Sequence, residues 1–220
     1  MTPQFYVLSG DVLSSRRMKN KEAFQKTLEK ACRKINKAYA GDIYADFKIL
    51  KGIDEMEGVL LNISHIYGIV SSFLEQIYPH SMRFVLASGS IDTSLESRNV
   101  SKMDGPAFHK AYDMMGELKR SNLLFDMSTD NETIDALVGG EINSLLLLKG
   151  NWSAKQYMIV KAYREKGSQY EAAKTLGITQ QTVSKALTRA MWKEIESIEN
   201  RLNHALLNLP QKTTKGDENP

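Results

Sequence analysis

The sequence predicts an α+β protein in two parts. Residues 1–150 read as a split β-α-β, ferredoxin-like domain, and residues 151–209 as an all-α helix-turn-helix domain. Three observations carry this reading. Short apolar runs bounded by turn residues alternate with amphipathic helical stretches through the first part. From Ala154 onward only helical periodicity remains. Residues 169–189 then place a small residue, a turn glycine and apolar positions at the spacing of two helices joined by a tight turn.

Each element follows in order. Phe5-Tyr-Val-Leu8 is an apolar run ended by Ser9-Gly10-Asp11, a strand running into a loop. Residues 21–39 place Phe24, Leu28, Ala31, Ile35 and Ala38 at helical spacing, closed by Gly41. Residues 43–50 and 58–63 read as two strands joined by a turn around Gly52-Ile-Asp-Glu-Met56. A second amphipathic helix covers 66–78 and stops at Pro79. Residues 82–91 form a further strand, 94–103 a polar loop, and Pro106 starts a helix through Met115. A strand at 123–127 and a helix at 132–148 complete the first domain. Gly150-Asn-Trp152 marks the boundary, and helices follow at 154–166, 169–176 and from 179 onward. The polar tail 210–220 reads as disordered.

Composition places the chain among globular proteins, with 42% hydrophobic and 25% charged residues. No apolar run approaches the ~20 residues of a membrane span, and the start lacks a signal peptide's basic flank and apolar stretch. Cys32 is the single cysteine, so neither an internal disulfide nor a cysteine metal cage can form. A cytoplasmic protein without membrane contact is expected. The net charge of +3 is unevenly distributed. Residues 1–150 hold 18 Lys/Arg against 19 Asp/Glu, whereas residues 151–190 hold seven against two. A basic module beside a neutral one is the electrostatic footprint of a nucleic-acid-binding head.

In that module Ala173 lies four residues before Gly177, and Val183 six after it. A small residue lets the helices approach closely, and glycine supplies the left-handed backbone of a tight turn. Leu176, Ile178, Val183 and Leu187 are the expected apolar contacts. Gln180, Gln181, Ser184, Lys185, Thr188 and Arg189 then fall on the outward face of the second helix. Such side chains read base edges and grip phosphates, so duplex DNA is the expected partner. Beyond Arg189 the helix is expected to continue, with Ile195, Ile198, Leu202, Ala205 and Leu209 at alternating spacing of three and four. That stripe is either a coiled-coil seam of a homodimer or a face packed on its own chain.

Four stretches resemble a known family. They are Val7-Leu-Ser-Gly-Asp-Val-Leu-Ser-Ser-Arg16, Asp54-Glu-Met-Glu-Gly58, the strand from Arg83 to Ser90-Ile-Asp-Thr93, and Asp104-Gly-Pro-Ala-Phe108. With the helix-turn-helix they are similar to the SatD family over nearly the whole chain, to about Arg189. The resemblance implies a larger domain like the palm-type fold of class III nucleotide cyclases and diguanylate cyclases. Diguanylate cyclases carry Gly-Gly-Asp-Glu-Phe at the hairpin. Here Gly52-Ile-Asp-Glu-Met56 places a β-branched Ile53 where glycine would let backbone approach phosphate.

The residues themselves point to related chemistry. In a split β-α-β fold, the end of the first strand lies beside the tip of the central hairpin. Asp11 stands at the first position and Asp54 at the second, with Glu55 as the alternate. Carboxylates from adjacent strands are the hard ligands Mg²⁺ takes, with substrate phosphates completing the shell. The backbone amides from Val12 to Ser15, with Ser14, Ser15 and Arg16, would cradle a nucleotide phosphate. Two functions fit: a DNA-binding transcriptional regulator that senses a nucleotide or metal, and a Mg²⁺-dependent nucleotidyl cyclase or phosphotransferase with an accessory helix-turn-helix. His65, His80, His109 and His204 share no metal-ligand spacing.

Overall fold

The computed structural model describes residues 4–52 and 54–209, the side chains of Arg16 and Lys51 excepted. The tail expected to be disordered lies outside them. In chain order the elements are β1 (Phe5–Val12), α1 (Lys21–Ala38), β2 (Ile43–Lys51), β3 (Glu55–Leu60), α2 (Ile66–Ile77) and β4 (Met82–Gly89). They continue with α3 (Pro106–Leu118), β5 (Phe125–Ser128), α4 (Glu132–Gly150) and α5 (Ala154–Lys166). The last are α6 (Gln169–Leu176), α7 (Gln180–Arg189) and α8 (Trp192–Leu207). The fold is α+β. Among the described residues no helix is long and apolar enough to cross a membrane.

Two compact units divide the chain, residues 1–140 with 203–220 and residues 141–202. The divisions fall inside α4 and α8. Gly150, expected at a domain boundary, is the last residue of an uninterrupted α4.

In the first unit a five-stranded mixed sheet has the order β2-β3-β1-β4-β5. β1 is antiparallel to both neighbours, and β5 joins β4 in parallel. Helices cover both faces, which is why β1 and β4 read as continuous apolar runs. On one face Phe5 and Val7 pack with Val59, Val85 and the α3 residues Ala107 and Ala111. The other faces α1, whose Phe24, Leu28, Ala31, Cys32 and Ile35 form a buried helical stripe. There Phe73 packs edge-on against Phe47 and tilted against Phe84. Gly58 leaves room for that cluster, because a Cβ on it would come within 2.3 Å of Phe47 Cδ1.

The first strand is longer than its apolar run. Ser9, Gly10 and Asp11 were expected in a loop, yet they pair on both sides, with Glu57, Met56 and Glu55 of β3 and with Val85, Phe84 and Arg83 of β4. A central strand continues while both neighbours supply backbone partners, whatever its side chains. Likewise β3 starts at Glu55, earlier than its apolar part.

In the second unit, caps define α5, α6 and α7. Ser153 and Gln156 form a capping box, Ser168 caps α6, and Thr179 accepts from the Thr182 amide. Gly177 ends α6 at φ 65, the left-handed conformation a tight turn requires. Ala173, Val183 and Leu187 are buried; Leu176 and Ile178 are half-buried. One expectation is corrected. The helix from Thr179 breaks after Arg189, because Met191 takes φ 52 before α8 begins. Of the stripe beyond, Ile195 and Leu202 are buried within the single chain, Ile198 and Leu209 are half-buried, and Ala205 is exposed.

The left-handed Met191 makes a direct prediction. A non-glycine residue there costs roughly 1–2 kcal/mol, part of which glycine returns as unfolded-chain entropy. Met191→Gly should raise stability by up to about 1 kcal/mol, read from urea unfolding. An unchanged or lower midpoint would show that the Met191 side chain outweighs the backbone cost.

Candidate functional site

On the α3 face of the sheet the core ends in two polar rows. Ser9 and Glu57 are cross-strand partners, and the serine hydroxyl donates to Glu57 Oε1 at 2.9 Å. In the last row Glu55, Asp11 and Arg83 stand side by side on β3, β1 and β4. Directly opposed residues bring their Cβ atoms to roughly 4.5–5.5 Å, so the Asp11 and Glu55 carboxylates repel. Lys119, just beyond α3, sets its Nζ 2.7 Å from Asp11 Oδ1. Asp11 is 13% exposed and Lys119 41%. Arg83 Nε is buried and has no hydrogen-bond partner among the described residues.

These rows border a cleft of about 900 Å³ between the sheet and α3. Asp11, Glu55, Glu57, Asp104, Asp113 and Glu117 line it, against Lys119 and Arg120, over an apolar floor that includes Met103 and Phe108. Its field favours cations, and a bare polyphosphate would meet repulsion.

The sequence-predicted residues are only partly brought together. The ends of β1 and the hairpin do adjoin, since the Val12 amide donates to Asp54 O at 2.9 Å. The carboxylate opposite Asp11 is, however, that of Glu55. Asp54 Oδ2 accepts from Ser15 Oγ at 2.6 Å. Of the amides expected to cradle a phosphate, Val12 donates to Asp54 O and Leu13 to Ser81 O. Ser14 is exposed and left-handed, and Ser15 is buried. The Arg16 side chain and Ile53 lie outside the described residues. Among those described, no group of three or more His, Cys, Asp or Glu is arranged to hold a metal ion. His65 bonds Asp42, and His109 pairs with Asp104. Burial pushes the Cys32 thiol up to about 12, so it is unreactive at neutral pH.

In the second unit, Gln180, Gln181, Lys185, Thr188 and Arg189 are exposed on α7, and Ser184 is half-buried. Thr188 Oγ1 donates back to Ser184 O. No acidic residue occurs in α7. Sequence reasoning missed the joint at its far end, where Trp152 Nε1 donates to Ala190 O at 2.9 Å. Trp192 stands near edge-on to Trp152, with the Arg164 guanidinium 5.6 Å above its ring. No apolar period announces such a contact.

The SatD family model matches residues 5–201. This chain belongs to the SatD family. No curated protein matches it. Among solved structures, a bacterial light-regulated adenylyl cyclase is similar at 14% identity, covering 62% of this SatD chain and 81% of its own, with a TM-score of 0.39. The Regulator of Polyketide Synthase Expression from Bifidobacterium adolescentis is similar at 11% identity, covering 95% and 82%, with a TM-score of 0.29. At these scores neither likeness informs the chemistry of the SatD chain.

The charged row yields a test of its own. Lys119→Ala removes the cation bonded to Asp11, leaving Arg83 alone beside the opposed carboxylates, and should cost about 0.5–1 kcal/mol, the range of a partly exposed pair. Glu55→Gln should recover most of that loss in the Lys119→Ala background while changing little alone. A double-mutant cycle by thermal unfolding measures the coupling; additive effects would mean that Lys119 does not offset the carboxylate repulsion.

Proposed function

We propose that this SatD-family protein binds duplex DNA through α7 and acts as a cytoplasmic transcriptional regulator. The observation that carries the reading is the face of α7, where two glutamines, a lysine and an arginine stand exposed with no acid among them. Gly177 and the Thr179 cap hold its N-terminal end, the part of a recognition helix that meets base edges. The surplus of cations over residues 151–190 supports it, since phosphate contacts dominate affinity. We read α5–α7 as the helix-turn-helix and the first unit as a ferredoxin-like, palm-type domain that receives a cation or nucleotide.

Alanine scanning separates the roles on α7. Gln181→Ala should flatten sequence preference, because a good base contact is worth about 1–3 kcal/mol. Arg189→Ala should weaken binding to every duplex alike and lower the salt slope by about one. The test is selection of a target from random duplexes, followed by titration across salt. Unchanged binding by both variants would remove α7 from the interface.

The second reading is a nucleotidyl cyclase or phosphotransferase. It is favoured by the opposed carboxylates of Asp11 and Glu55 at the cleft. Two hard oxygen donors suit part of a Mg²⁺ shell, and substrate phosphates with water would complete it. Lys119 pairs with Asp11, and would have to yield to the ion. Mg²⁺ or Mn²⁺ should then raise the melting temperature, a nucleoside triphosphate should raise it further, and Asp11→Asn should abolish both shifts. New nucleotide products in the mass spectrum, lost with Asp11→Asn, would make the protein an enzyme. A melting curve moved by neither ion nor nucleotide would end this reading.

A further inference from the structure

We infer that Trp152 is a positioning residue for DNA reading, setting the tilt of α7 from the end opposite its base-reading residues. The inference rests on α7 being the DNA-reading helix. The geometry is specific. Ala190, the C-terminal cap of α7, is buried, and its carbonyl accepts the Trp152 indole N–H at 2.9 Å. The last carbonyls of a helix lack partners within it, and a buried one needs a donor from elsewhere. Trp152 immediately precedes Ser153, the N-terminal cap of α5, so the bond ties the end of α7 to the start of α5.

The tie is braced. Trp192, 2% exposed, lies near edge-on to Trp152 with centroids 6.1 Å apart, and Arg164 from the last turn of α5 stacks over it. The backbone at this point needs bracing, since Met191 breaks the helix at φ 52 immediately after Ala190. Without a tie the C-terminal end of α7 would pivot about its Gly177 and Thr179 end.

A pivot affects the two kinds of DNA contact differently. Bidentate base contacts need fixed geometry, so Gln181 and Lys185 lose contact with base edges when the axis tilts. Phosphate contacts through long, flexible side chains follow the backbone and are largely kept. Trp152 should therefore act on discrimination and leave general affinity alone.

The test uses the full chain with Trp152→Phe, which keeps a ring and loses the N–H. A second variant carries 3-benzothienylalanine at position 152, which exchanges only the N–H for sulfur. Dissociation constants are measured for a selected duplex and a scrambled one across a salt series. Both variants should lower the ratio of the two affinities ~5-fold, the scale of one lost hydrogen bond. Scrambled-duplex affinity and salt slope should stay at the wild-type values. Equal weakening on both duplexes would mean that Trp152 merely supports the fold, and an unchanged ratio would mean it does not position α7. Either overturns the positioning role alone. A wild type that binds neither duplex overturns the DNA reading, and this inference with it.

Discussion

β1 is hydrogen-bonded along both edges and covered on both faces, and much of the first unit follows from that. A strand so enclosed can carry polar side chains only where neighbours answer them. Its apolar half meets that demand by burial, with Phe5 and Val7 in the core beside α3. Its polar half meets it by pairing, Ser9 with Glu57 and Asp11 with Lys119. The cleft opens where the apolar supply ends. Ser9 and Asp11 at its rim, with Glu57 and Lys119 that answer them, are results of one constraint, the continuation of β1 past its hydrophobic run.

The second unit solves a different problem. Its helices are short, and a helix of 8 residues such as α6 has little stability in isolation. Caps and a glycine turn therefore define each end, and buried alanines let the helices approach closely. The consequence is an α7 whose outward face is free of packing duties. Residues that need not hold the fold are available to a partner.

Local chemistry made some of this legible in the sequence. α5 and α6 begin and end where their caps and apolar periods place them, and α1 differs by one residue at its end. The pairing of helix pattern with strand pattern likewise indicated an α+β chain. Features fixed by distant residues were hidden. The length of β1 depends on backbone partners some 45 residues or more away in β3 and β4. The partner of Asp11 comes from the end of α3, and no spacing announces it. Ile195 and Leu202 form the stripe that periodicity shows, but what covers a stripe is a tertiary matter. The break at Met191 has no local signature either, because alanine and methionine are both good helix formers.

The aromatic joint at the end of α7 has a practical corollary. The chain has two tryptophans, Trp152 and Trp192, and both lie in the unit of residues 141–202. Emission excited selectively in indole therefore originates from that unit alone, with the other silent at that wavelength. Far-ultraviolet dichroism, by contrast, averages over the helices of both. The pair of signals makes the protein its own two-channel reporter. Coincident melting curves would mark one cooperative body, and separated curves would assign a melting temperature to each unit without any added label.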